Sequence, residues 1–284
     1  MPELPEVETI KRGLERLILH KKISRVEILN EKSWRGMDAE RVLGQEIVEF
    51  DRRGKALLMR LSNNLWMMAH LRMTGQMIVV GAGEKFAAGH PDGNFTAEMP
   101  SRHTRIWFEF DDGSHLYFND LRKFGFIKLT DELGLQEDDF LRKLAPEPWD
   151  MSSDEFWARL QKHPNSPIKA VLLNQHIIAG VGNIYADEAC FIARIFPGVK
   201  VREISRETAD KLLAGVCEVM QASIDSGGST MKDYVRADGT KGSYLEKFAQ
   251  VFRRDGDCCR VCGAKILKTR VAGRGTHYCP ECQG

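Results

Sequence analysis

Residues 259–282 read CRVCGAKILKTRVAGRGTHYCPEC, and the spacing of the four cysteines decides what the C-terminal end of the chain can be. Cys259, Cys262, Cys279 and Cys282 form two CxxC knuckles separated by 16 residues. Four thiolates at that spacing close a tetrahedral zinc site, and a segment this short cannot bury a core of its own, so the metal would staple a β-hairpin. Four protein ligands leave no open coordination position, so one structural zinc is expected rather than a catalytic one. Cys258 precedes the first knuckle, but only Cys259 gives the CxxC register, while Cys190 and Cys217 fall in helical runs and read as core. Between the knuckles Arg274 stands between Gly273 and Gly275, where a hairpin tip would offer a guanidinium and bare backbone to a ligand. Residues 253–284 hold seven basic residues against three acids, an excess that the formal net charge of +1 for the whole chain conceals. A zinc-held basic hairpin grips nucleic acid, and taken alone it fits a binding module as well as an enzyme.

Upstream of this hairpin the chain falls into two compositional halves. Its 284 residues are enough for two domains, and 43% hydrophobic with 29% charged residues reads as globular rather than disordered. No run of 18 apolar residues occurs, and acids occupy the first 20 residues where a signal peptide would be basic and then apolar, so a cytoplasmic protein without membrane contact is expected. Residues 5–18 place Val7, Ile10, Leu14, Leu17 and Ile18 at helical spacing behind Pro5. Strand-like runs follow: ISRVEIL, EIVEF, KALLMRL, LWMMAHL, QMIVV, RIWFEF and HLYF, with DDGS turning the last pair. The glycine-rich, polar stretch 81–101 reads as a surface loop.

From Asp131 the pattern becomes helical. Ser152 and Glu155 cap FWARL, Ser166 and Pro167 start IKAVLLNQ, and SRETADKLLAGVCEVMQASI is a long helix. Within AGVGNIYADEA two glycines end one helix and another begins near Asn183, leaving free backbone donors suited to a phosphate, although a plain structural turn fits equally well. The expected fold is α+β: an N-terminal β-sandwich with a leading helix over 1–130, a linker over 131–150, and a helical domain over 151–284 that ends in the zinc-bound β-hairpin of 253–284.

The chain begins MPELPEVET. If Met1 is removed, Pro2 becomes a secondary amine. An α-amino group has a pKa of about 7.7 to 8.0 against about 10.4 for lysine, so an appreciable fraction of a Pro2 amine is neutral near pH 7. The adjoining helix N-terminus lowers that pKa further.

MPELPEVET, HLRMTG (70–75), LRKFG (121–125), AGVGNIYADEA (179–189), SGGSTMKDYV (226–235) and AGRGTHYCPEC (272–282) occur in order across essentially the whole chain. Together they resemble the bacterial formamidopyrimidine-DNA glycosylase family. That resemblance implies a helix-two-turn-helix arrangement in the helical domain and a monomeric enzyme acting on double-stranded DNA that carries an oxidised purine, 8-oxoguanine or a formamidopyrimidine. It implies Pro2 as the nucleophile that forms an imine with the deoxyribose, and Glu3 as the acid and base beside it. Glu6 matches a further active-site carboxylate, whereas Glu8 reads as a helix-start acid. Lys55 and Arg274 complete the implied catalytic set. Met73, Arg122 and Phe124 match the residues that fill the gap left by an extruded base. His70, Lys123, Lys169 and Asn183 match phosphate contacts. The segment 236–250 would cover the flipped base.

Three departures stand out. Thr74 follows Met73 where some relatives carry glutamate, Ala145 replaces a usual glycine, and the 81–101 stretch is long. Two rivals share the signal: the endonuclease VIII branch, which takes oxidised pyrimidines and typically has glycine where this chain has Leu4, and a non-catalytic zinc module.

Overall fold

The computed structural model describes residues 1–81, 84–89, 98–228 and 244–284. Helix α1 (Leu4–Ile18) opens the chain, with Val7, Ile10, Leu14 and Ile18 buried along one face at intervals of three and four residues. Among the described residues ten strands follow: β1 (Ile23–Ile28), β2 (Trp34–Gly36), β3 (Ile47–Arg53), β4 (Ala56–Leu61), β5 (Trp66–His70), β6 (Gly75–Gly81), β7 (Glu84–Gly89), β8 (Thr104–Phe110), β9 (His115–Asp120) and β10 (Phe126–Thr130). They build two five-stranded sheets ordered β1-β8-β9-β6-β7 and β2-β10-β5-β4-β3. One core, drawn from both sheets and from α1, holds this β-sandwich together.

Among the connections that cross between the sheets are two tight corners: β5 leads into β6 through residues 71–74, and β9 leads into β10 through residues 121–125. The two corners are neighbours, because Gly75 pairs with Asp120 in one sheet and His70 pairs with Phe126 in the other.

The stretch expected as a loop over 81–101 contains strand β7, antiparallel to β6. Phe86 and Ala88 alternate inward from it, and the Phe86 ring lies where a side chain on Gly13 of α1 would stand. The glycines and polar residues around EKFAAG hid this short alternation; residues 82–83 and 90–97 lie outside the described residues. Strands β10 and β2 were also absent from the sequence reading. The second has three residues and forms only through parallel pairing with the first.

The remaining elements are α2 (Glu132–Gln136), α3 (Asp139–Arg142), α4 (Ser153–Leu160), α5 (Ile168–Leu172), α6 (Asn183–Ile192), α7 (Arg206–Asp225), α8 (Tyr244–Lys247), β11 (Leu267–Val271) and β12 (Arg274–Tyr278). Two compact units result: residues 1–142 with 226–228, and residues 143–225 with 244–284. The segment expected as a linker is therefore split between them. Glu132 accepts from Trp66 Nε1 at 2.7 Å and Asp138 from Lys128 Nζ at 2.6 Å, which ties α2 and α3 to the sandwich. Beyond Lys143, Ala145 N–H donates to Gln175 and Pro146 C=O accepts from Ala179, both within the helical unit. There α6 packs on α7, and the β11–β12 hairpin packs against α6. No helix among the described residues is long and apolar enough to cross a membrane.

Candidate active site and nucleic-acid interface

The first unit carries the N-terminal chemistry. Pro2 and Glu3 are both buried just ahead of α1, while Met1 is exposed. Glu3 is the N-cap, in extended conformation, and the Glu6 carboxylate returns to accept the Glu3 N–H at 2.9 Å. That contact satisfies a backbone donor the helix cannot and fixes Glu3 beside Pro2. Glu8 faces elsewhere: burial works to raise its pKa, but hydrogen bonds from Arg52 and Arg12 hold it below the ordinary value. Lys55 was read as part of strand KALLMRL, and the structure puts it in the two-residue turn between β3 and β4, behind Gly54 at φ 56°, where it is buried.

His70 ends β5, buried, with its ring near-parallel to Phe126 at 6.0 Å and Phe140 edge-on at 4.9 Å. Burial first, and then the positive charges of Arg72, Lys55 and Arg35, push its pKa down to about 3. Its Nδ1 accepts the Arg72 N–H at 3.1 Å, so the neutral ring carries its proton on Nε2 and presents a donor there. A neutral donor suits a phosphate oxygen in a place where a further cation would be repelled.

The two sheet-crossing corners carry the residues matched to gap filling. Met73 is partly exposed in the first corner, and Arg122, Lys123 and Phe124 are exposed in the second. Phe124 is 51% exposed, which rules out an ordinary core position, and the Arg122 guanidinium lies 4.8 Å from its ring centroid. Arg72 and Lys123 both adopt left-handed φ, at 51° and 60°, so each corner turns tightly at a non-glycine residue. Asp120, fully buried, receives the Thr74 hydroxyl, the Arg122 N–H at 3.2 Å and the Gly125 N–H at 2.7 Å.

In the second unit α6 is the organising element. Gly182 is its N-cap and Asn183 its first residue. The Asn183 Nδ2 donates to Gly275 C=O at 3.0 Å. Lys169 was read as a phosphate contact; the structure buries it completely and directs its ammonium at Asp187 Oδ1 (2.6 Å), Gly275 C=O (2.9 Å) and Thr276 Oγ1 (2.8 Å). Its charge is neutralised inside the protein, and what it holds is the hairpin. Asp187 Oδ2 also accepts the His277 N–H at 2.9 Å. Glu188, next along α6, accepts the N–H groups of Gln250, Val251 and Phe252 at 2.7, 3.0 and 2.8 Å, although burial raises its pKa. It thereby anchors the C-terminal end of the segment expected to cover the base; residues 236–243 of that segment lie outside the described residues.

Arg274 begins β12, exposed, directly after Ala272 and Gly273 at φ 49° and 75°, the two positive values of a two-residue hairpin turn. It has no acidic partner among the described residues. Behind the tip, the sulfurs of Cys259, Cys262, Cys279 and Cys282 all lie within 4.8 Å of one another, with Cys262 to Cys279 at 3.4 Å and Cys259 to Cys282 at 3.9 Å. Tetrahedral zinc with bonds of about 2.3 Å separates its sulfurs by about 3.8 Å, so the set fits one structural zinc. The Cys259 sulfur accepts the Val261 N–H at 3.4 Å, a contact that steadies a thiolate.

Asp120, Asp187 and Glu188 are not singled out by the sequence, and Thr74 stands out there only as a departure after Met73. The one local signal was adjacency: each lies inside or next to a motif whose other residues were.

Three family models match the chain in order: the formamidopyrimidine-DNA glycosylase N-terminal domain over 1–127, the H2TH domain of the same enzymes over 144–235, and the zinc finger found in FPG and IleRS over 256–284. The formamidopyrimidine-DNA glycosylase of Exiguobacterium sp. is 37% identical over 289 residues, covering 100% of this chain and 99% of that protein. Among solved structures, the Fpg protein of Thermus thermophilus aligns at 36% identity and TM-score 0.84 over 100% of this chain and 99% of that one. A Lactococcus lactis Fpg variant in complex with Fapy-dG-containing DNA aligns at 32% identity and TM-score 0.86, covering 99% of each. A β-sandwich led by an N-terminal helix, a helical unit and a four-cysteine hairpin thus define a DNA-repair glycosylase. The chain belongs to the formamidopyrimidine-DNA glycosylase family.

Proposed function

We propose that this enzyme excises oxidised purines, 8-oxoguanine and formamidopyrimidines, from duplex DNA and then cleaves the abasic strand through an iminium formed on Pro2. The observation that carries this reading is the placement of Pro2 beside a buried N-cap carboxylate at the start of α1. Removal of Met1 converts the Pro2 nitrogen from an amide, whose lone pair is delocalised, into a nucleophilic amine. Attack on C1′ forms the N–C1′ bond, and the base departs with the electrons of its glycosidic bond. Glu3 protonates O4′ as the sugar ring opens, which leaves the iminium. That cation acidifies the C2′ proton; its loss expels the 3′ phosphate, and a second elimination expels the 5′ phosphate. Lys55 offers positive charge to a departing phosphate, and Arg274 presents a guanidinium from the hairpin tip.

Extrusion of the base precedes this chemistry, because a lesion inside the stack is out of reach. Phe124 wedges into the stack, Met73 occupies the vacated space, and Arg122 bonds to the orphaned base. His70, Lys123 and Asn183 contact phosphates, and Lys169 acts by holding the hairpin that displays Arg274. The protein works as a monomer in the cytoplasm on double-stranded DNA. Solved relatives from Lactococcus lactis bound to Fapy-dG-containing and abasic-site-containing DNA support the substrate class.

The deciding experiment is borohydride trapping on an 8-oxoguanine duplex, paired with intact-mass measurement. Protein shown to begin at Pro2 should be trapped covalently, and Met1-retained protein should bind without cleaving or being trapped. Full activity from a sample almost entirely Met1-retained would sink Pro2 as nucleophile. Faster cleavage of thymine glycol than of 8-oxoguanine opposite cytosine would move the enzyme to the endonuclease VIII class.

A further inference from the structure

We propose that Thr74 and Asp120 are positioning residues for base extrusion, a clamp that makes the corner carrying Met73 and the corner carrying Phe124 move as one body. The proposal rests on reading Met73 and Phe124 as the inserting residues. Neither Thr74 nor Asp120 is exposed, so neither touches DNA, and their effect passes through the two corners.

The geometry is specific. Asp120 is the last residue of β9, and its backbone is pinned to the strand side of the sandwich: its N–H donates to His103 C=O and its C=O accepts from Arg105 Nε at 2.8 Å. Its carboxylate bridges the base of the 122–125 turn, taking the Arg122 N–H on Oδ1 and the Gly125 N–H on Oδ2. Lys123 and Phe124 form the projecting part between those two anchors. Gly125 has to lack a side chain here, since a Cβ would meet the Phe118 ring at 2.8 Å and Asp120 Oδ2 at 3.2 Å.

The same Oδ1 accepts the hydroxyl of Thr74, the residue after Met73, and Thr74 Oγ1 in turn accepts the Arg122 N–H at 3.0 Å. One N–H of the second corner is thus shared between Thr74 of the first corner and Asp120 at the end of β9. Neither corner can shift without breaking hydrogen bonds that fix the other. A wedge has to resist the stack while the base swings out, whereas cleavage of an existing abasic site places no such demand.

Thr74→Val removes the hydroxyl at constant shape. In single-turnover assays it should slow excision of 8-oxoguanine about tenfold, the loss expected for one buried hydrogen bond, and leave cleavage of a preformed abasic site within about twofold. Thr74→Ser should restore excision, and 2-aminopurine placed beside the lesion should report slower unstacking in the valine variant only. Asp120→Asn, which keeps one acceptor oxygen, should show the same selective loss and serves as the second variant if the valine enzyme does not fold. Phe124→Ala is run alongside. If Phe124→Ala is selective for the lesion substrate and Thr74→Val slows both substrates equally or neither, the clamp is wrong while the insertion reading stands. If Phe124→Ala itself shows no selectivity, the insertion reading fails and the clamp fails with it.

Discussion

Lys169 offers a sharp test, because the family resemblance and the structure give it different work. As a phosphate contact it would be removable at the expense of binding alone. As placed here, its ammonium has three protons and faces three protein acceptors, of which Thr276 Oγ1 is buried and the Asp187 carboxylate fully so. In Lys169→Met the methylene stem is retained in length, but Asp187 Oδ1 loses its cation, and the Gly275 and Thr276 oxygens each lose a donor. Breaking a buried pair by removing one partner costs about 3–5 kcal/mol, most of it from the charge left behind. For a unit of this size that corresponds to a fall of roughly 10–20 °C in the midpoint of thermal unfolding. The double variant Lys169→Met with Asp187→Leu should recover a large part of the loss, since no uncompensated charge remains. Calorimetry on the three proteins measures this, and a salt titration of DNA affinity completes the assay. Each phosphate contact contributes a slope of about 0.9 in log affinity against log salt. An unchanged unfolding midpoint together with a slope reduced by about that amount would refute the buried role and return Lys169 to the DNA.

Zinc removal by chelation, or Cys279→Ser, should abolish DNA binding while circular dichroism retains most of the helix and sheet signal, because the metal organises only the terminal hairpin; tight binding by metal-free protein would contradict this. Phe124→Ala should slow 8-oxoguanine excision far more than cleavage of a preformed abasic site, as quench-flow on matched duplexes would show, and equal losses would speak against a wedge. For His70 the folded pKa of about 3 lies below the ordinary 6.5, so the folded protein binds fewer protons between those values, and stability falls as pH drops through that window. Urea unfolding at pH 7.5, 5.5 and 4.5 should therefore show the wild type losing more than His70→Gln, with the difference growing by up to about 1.4 kcal/mol per pH unit below 6.5; parallel curves would mean that His70 titrates normally.

Much of this molecule is legible in local patterns. The 3–4 spacing of Val7, Ile10 and Leu14 specifies α1, and the two CxxC knuckles specify the hairpin, because the partners that matter lie within the same few turns of chain. Ser152 caps Glu155 N–H as its spacing implies. Strand β7 was missed because its two inward residues, Phe86 and Ala88, are framed by glycines and charges that outweigh them in any short window. Lys169 was misplaced for a different reason. A lysine in a short helix reads as solvated unless its counter-charge is visible, and Asp187 lies 18 residues further on, brought to it only by the packing of the helical unit. The same holds for Asp120 with Thr74, 46 residues apart, and for Glu188 with Val251, 63 apart. Buried carboxylates that tie one segment to another leave no periodic trace; they are seen only once the segments have been folded together.

The two sheet-crossing corners have a mechanical implication. A side chain driven into a stack of bases meets a reaction force, and the chain behind it has to carry that load. Were Phe124 on a free loop, a few backbone torsions would yield and the stack would close again. Here the force enters β9 at one end of the corner and β10 at the other, and each is laced to a neighbour, β6 and β5, on opposite sheets. The load therefore spreads into both faces of a close-packed interior, which is nearly incompressible. The stiffness of the wedge belongs to the sandwich rather than to the loop, so a loosened core far from the DNA, at Met77 or Phe118 for example, would be felt as a softer tip.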